Sequence, residues 1–223
     1  MNEELKQIEL MMHGCATGKK VMKFLKDEGY TLQSGTTDPS IRGSHSPNVA
    51  KIDREKKVIS LCTEDMKDDN GKDYKVENAK ERNALALIKA ACLIKQEKYG
   101  ADFFSRQHIS KTEPISNADI VVTQCAFAGE MEEKSPKLAE IFDEHKLYYP
   151  DFKKTLKETG NEKAARSAAA DSYFHHDALY DTPEAIFRKK YLTDFDGKPY
   201  YAEPASKTAV NTVFMAKAKQ QGR

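Results

Sequence analysis

The chain has 223 residues, 39% hydrophobic and 32% charged, which suits one generous domain with a modest core under a strongly solvated surface. Its 36 lysines and arginines nearly cancel its 35 aspartates and glutamates, leaving a formal charge of +1. No broad basic field of the kind that nucleic-acid binding draws on results, so nucleic acid is not expected as a partner.

The first predicted element is a short helix over residues 2–12, broken at His13-Gly14-Cys15. A second helix starts near Thr17 and runs through VMKFLKDE, with Val21, Phe24 and Leu25 as its apolar stripe and Gly29 as its stop. Tyr30 to Gln33 reads as a short strand, and the turn-rich SGTTDPSIRGSHSPN follows as a loop. In VAKIDREKKVISL the apolar Val49, Ile52, Val58, Ile59 and Leu61 flank a polar Asp53 to Lys56, which predicts a hairpin or two short strands. The charged EDMKDDNGKDYKVEN is expected to be loop.

Glu81 to Gln96, ERNALALIKAACLIKQ, holds the longest apolar run of the chain. It predicts a helix buried on most of its circumference, too short to span a membrane and carrying Lys89 at its centre. Beyond Gly100 nearly everything reads as helix. Ser116-Asn117-Ala118-Asp119 resembles a capping box opening ADIVVTQCAFAGEM. Ser135-Pro136 starts another helix, Pro150 to Glu158 is stopped by Gly160, and Asn161 opens a longer one. Thr182-Pro183-Glu184 caps the next, Asp196-Gly197 is a turn, and Ala205 to Gln220 makes a final amphipathic helix. The expected fold is therefore α+β: a mostly helical single domain, 1–223, with a small N-terminal sheet packed on the central helix.

The cysteines Cys15, Cys62, Cys92 and Cys125 show no CxxC spacing and read as buried, reduced thiols. Met1 leads into the polar NEELKQIE, so no signal peptide and a cytoplasmic location are expected, with export by a machine that reads other signals left open. Candidate chemistry is sparse. His175-His176-Asp177 is the one histidine cluster, but adjacent helical residues diverge by about 100° and share a metal poorly, while Asp171 and His175 are an i,i+4 pair supplying two ligands at most. His13-Gly14-Cys15 could form a thiol–imidazole pair, but a nucleophilic cysteine needs a nearby base and an orienting group, and spacing alone shows neither. The loop with Gly43, Ser44 and His45 holds no phosphate-binding pattern and would line the sheet edge.

The order of these elements resembles that of bacterial zincin-like metallopeptidases, in which a helix like TGKKVMKFLKDEG, a short strand, a Gly/Ser-rich loop and a strand like NVAKIDREKKVISL precede a helix bearing HExxH. Ala86-Leu87-Ile88-Lys89-Ala90-Ala91-Cys92-Leu93-Ile94-Lys95-Gln96 matches that helix in length and apolar character. Lys89 falls at its first histidine, Ala90 at its glutamate and Leu93 at its second histidine. Val121 to Ala128 is similar to the downstream helix that carries the third ligand, with Gln124 at the glutamate.

The resemblance implies a zincin-like core over 17–181 with a C-terminal helical extension over 182–223. It implies neither metal nor cofactor, because every former metal-site position, Lys89, Ala90, Leu93 and Gln124, has lost its chemistry. A lysine ammonium there repels a divalent cation. The expected function is that of a pseudoenzyme that binds a protein or peptide through the former cleft, between the sheet edge, the loop at Gly43, Ser44 and His45, and the Lys89 helix. Lys89 could instead reach the surface or pair with Glu130. Two other readings stay open: a hydrolase drawing ligands from His45, His108, His175 and His176, and an assembly protein that oligomerises through its last helix.

Overall fold

The computed structural model describes residues 2–35, 50–62, 66–67, 73–74, 78–99, 109–143, 148–176 and 192–201. Two helices open it, α1 (Glu3–His13) and α2 (Ala16–Asp27). Each begins on a side chain that accepts an amide left unbonded in the first turn. Asn2 accepts from the Glu4 amide at 2.9 Å, and the Cys15 Sγ accepts from the Gly18 amide at 3.3 Å. The corner between the helices is so close that a Cβ at Gly18 would fall 2.0 Å from the Met12 carbonyl oxygen. Only glycine fits there. α2 stops where its sequence predicts. Gly29, at φ +80°, donates to the Lys26 carbonyl and Tyr30 donates to that of Leu25, the two bonds of a Schellman ending.

β1 (Thr31–Gly35), β2 (Lys51–Asp53) and β3 (Val58–Cys62) form one sheet in the order β1-β3-β2. The polar residues after Asp53 do turn the chain, so β2 and β3 make the expected antiparallel hairpin. β1 joins the far side of β3 in parallel, with Leu32 opposite Ile59. Ile59 and Leu61 lie two apart on β3 and are fully buried, where the sheet meets the central helix. Within the charged stretch after β3, expected to be loop, β4 (Met66–Lys67) and β5 (Asp73–Tyr74) pair antiparallel.

The central helix is α3 (Ala79–Tyr99), followed by α4 (Ile109–Met131), α5 (Pro136–Asp143), α6 (Tyr148–Thr159) and α7 (Glu162–His176). α4 is the hub, packing against α2, α3, α5, α6 and α7. Its start corrects the sequence expectation: the helix begins at Ile109 and runs straight through Ser116 to Asp119. Asp119 is no capping residue, because its carboxylate is taken by Lys95 of α3. The other boundaries follow their signals. Pro136 is the first residue of α5, Gly160 follows α6 at φ +62°, and the Asn161 Oδ1 accepts from the Ala164 amide at 3.2 Å.

The Asp196-Gly197 turn sits between Thr193 and Pro199, which form an antiparallel bridge. Asp194 holds it, its Oδ1 accepting from the amides of Asp196 and Lys198 at 2.9 and 2.8 Å. The helices expected after Thr182 and from Ala205 to Gln220 lie outside the described residues. One hydrophobic cluster joins the elements from Leu5 in α1 to Tyr200 beyond the turn. The chain is thus α+β and mostly helical with a small sheet, and among the described residues no helix is long and apolar enough to cross a membrane.

Candidate functional site

α3 is buried almost all the way round. Between Ala84 and Lys95 every residue is buried except two: Lys89 is exposed, and Leu93 is half-buried against the core. Four residues apart, they share one side of the helix. α4 has the same kind of interruption. Between Ala118 and Ala128 only Gln124 escapes full burial. Its Nε2 donates to the carbonyl of Leu85 at 3.0 Å, one turn before Lys89 on the same side of α3. Lys89, Leu93 and Gln124 therefore mark an opening along the α3–α4 seam. Ala90 does not reach it, being 1% exposed and turned into the core. Gly43, Ser44 and His45, the remaining predicted lining, lie outside the described residues.

Chemically the opening offers an ammonium, a branched apolar side chain and a carboxamide. Glu130, the carboxylate that the sequence offered Lys89, is engaged elsewhere: it accepts from the Thr17 amide at 2.8 Å and the Thr17 hydroxyl at 2.5 Å, at the head of α2. Among the described residues Lys89 has no ion-pair partner.

Among the described residues the other candidates do not assemble a reactive group. Cys15 is spent on its helix cap, and burial, the largest influence, pushes its thiol up to about 12. Cys92 is likewise pushed up to about 12 by burial, and all four cysteines are buried and outside any disulfide, as their apolar settings predict. Neither Cys15 nor Cys92 yields the thiolate that a nucleophile requires. His175 is exposed, and Asp171 accepts from the Tyr201 hydroxyl at 2.9 Å. His45, His108 and the side chain of His176 lie outside the described residues. Among the described residues no three of His, Cys, Asp and Glu are grouped so as to hold a metal ion.

A second polar centre was not anticipated from the sequence. Lys95 of α3 is 1% exposed, and its ammonium donates to the Asp119 carboxylate at 2.8 Å and to the Thr193 carbonyl at 2.5 Å. The Tyr200 hydroxyl and the Gln96 amide also donate to Asp119, at 3.3 and 3.0 Å. Phe195 lies under the ammonium, 4.9 Å from ring centre to Nζ. Burial, with the Asp119 carboxylate next in weight, raises the Tyr200 phenol well above its ordinary range. Every member has a partner, and Lys95, Asp119 and Tyr200 are buried, so the site pins the C-terminal turn to the core. The signal that could have found it is a lysine in an apolar helix with a free carboxylate in the next one. Compared with known proteins, the chain matches no family model, no curated protein and no solved structure.

Proposed function

We propose that this chain is a non-catalytic protein of zincin-like ancestry that binds a protein or peptide partner at the opening around Lys89. The observation that supports it most is the pattern of burial. The three positions aligned with the metal ligands of such enzymes, Lys89, Leu93 and Gln124, are the interruptions in two otherwise buried helical stretches. A former metal site needs that arrangement, because ligands must face a space that substrate can enter. Ala90, at the position of the catalytic glutamate, leaves no general base there. What remains is a positive charge beside a half-buried leucine; among the described residues the sheet ends at β1, an edge of the kind that an extended chain can join.

Grafting the ligands back tests the register. The variant Lys89→His/Leu93→His/Gln124→Glu is expected to bind one zinc ion per chain, measured by titration on protein shown by circular dichroism to be folded. Ala90→Glu is left out because it would bury a carboxylate. A folded graft with no zinc affinity would sink the alignment. Metal content and peptidase activity of the unmodified protein test the non-catalytic half, and stoichiometric zinc with chelator-sensitive cleavage would overturn it.

A further inference from the structure

A second surface feature, whose lining includes none of Lys89, Leu93 and Gln124, lies between the C-terminal end of α4 and α6. A groove of about 370 Å³ there has an apolar floor formed by Phe152 and Leu156. Gly129 completes that floor, and a Cβ on it would meet the Phe152 ring at 3.0 Å, so any larger residue would crowd the groove base. Binding cavities for whole small molecules run from about 300 to 1,000 Å³ and enclose most of the ligand. This one is at the small end and lies open along a helix, which suits a single inserted side chain.

The rim gives the charge of what would bring that side chain. Lys153, Lys154 and Lys157 line it against a single carboxylate, Glu132. Lys153 is already paired with Glu132 and lies 5.5 Å from the centre of the Tyr149 ring. Lys154 and Lys157 have no carboxylate partner among the described residues. Three apart on α6, their stems stand about 5–6 Å from one another. Two ammoniums without an ion-pair partner among the described residues, bordering an apolar slot, complement carboxylates that flank an apolar residue.

We infer that the α4–α6 groove binds an acidic segment of a partner protein, with one Leu- or Phe-sized side chain on Phe152 and Leu156 and flanking carboxylates on Lys154 and Lys157. A fluorescent peptide carrying one Phe between glutamates is the probe, titrated by anisotropy with the intact chain. It is expected to bind saturably, at least tenfold more weakly when Glu is replaced by Lys in the peptide, and more weakly as salt rises. Lys154→Glu/Lys157→Glu should cost tenfold or more and let the Lys peptide bind instead. Lys154→Ala/Lys157→Ala should give an intermediate loss; both substituted side chains are on the surface, and an unchanged melting curve confirms the fold. Equal affinity for the two peptides, indifference to both lysine variants, or no saturation would overturn the inference. So would capture by phosphatidylglycerol vesicles without peptide binding. Lys89→Glu should leave the titration unchanged; if it abolishes binding, the peptide sits at the α3–α4 opening and the groove is refuted while the opening is not.

Discussion

Two lysines six residues apart on α3 meet opposite fates. Lys89 is exposed along the α3–α4 seam, and Lys95 is buried beneath the C-terminal turn with a carboxylate, a carbonyl and an aromatic ring around it. Six residues turn a helix by about 240°, so the two ammoniums leave different sides of one apolar rod. The contrast shows that a charge in a core helix has two stable solutions: an exit to water, or a complete set of partners. A lysine with its exit costs the fold little. One with partners binds distant segments together, and removing it strands whatever it neutralised.

The largest effect that separates the two sites should come from Lys95→Met. Losing one half of a buried ion pair costs roughly 3–5 kcal/mol, and the lower figure applies because Gln96 and Tyr200 still donate to Asp119. Urea denaturation measures it. The double variant Lys95→Met/Asp119→Leu should recover most of the loss; failure to recover would mean that the network, and not the stranded carboxylate, sets the cost.

An alkaline titration should sharpen the same contrast. The folded protein holds the Cys92 thiol up to about 12, whereas the unfolded chain releases that proton near 9.0. Tyr200 is shifted in the same direction. The folded state therefore keeps protons that the unfolded state gives up, so this stability is whole below the unfolded values and drains away as pH rises above them. Each group removes roughly 1.4 kcal/mol per pH unit in that window. Urea midpoints taken upward from neutral pH should fall, and Cys92→Ala should flatten the fall. A slope untouched by both Cys92→Ala and Tyr200→Phe would contradict the sealed character of this end of α3.

The smallest effect belongs to Lys89. Lys89→Met should change stability by no more than about 0.5 kcal/mol, as surface substitutions do. A loss close to that of Lys95→Met would show that Lys89 is structural and erase the difference between the two ends of the helix.

Local signals carried most of the fold. Gly29 and Gly160 stop their helices because they take positive φ at little cost, Pro136 begins one, and Asn161 caps another. The polar break between Ile52 and Val58 was enough to place a hairpin. Pairing across distance was not legible. Ser116 to Asp119 has the texture of a cap, yet Asp119 serves a lysine 24 residues earlier, and nothing within four residues of it says so. The same limit explains why Lys89 drew attention and Lys95 did not. Both follow Leu-Ile in an apolar run, and only the third dimension supplies one of them with Asp119 and Thr193. Of the candidate site, the alignment to a motif singled out Lys89, Leu93 and Gln124, whereas the bond from Gln124 to the Leu85 carbonyl is visible only in three dimensions. The buried network had no motif to betray it.

The bond from Lys95 to the Thr193 carbonyl spans 98 residues. Closing a loop of that length has an entropic cost that must be met before the contact returns anything. Lys95 and Asp119 lie only 24 residues apart, so their pairing is expected to form first, in a pocket still open to water. The C-terminal turn is then expected to close over the pair late in folding and to lift from it early in unfolding.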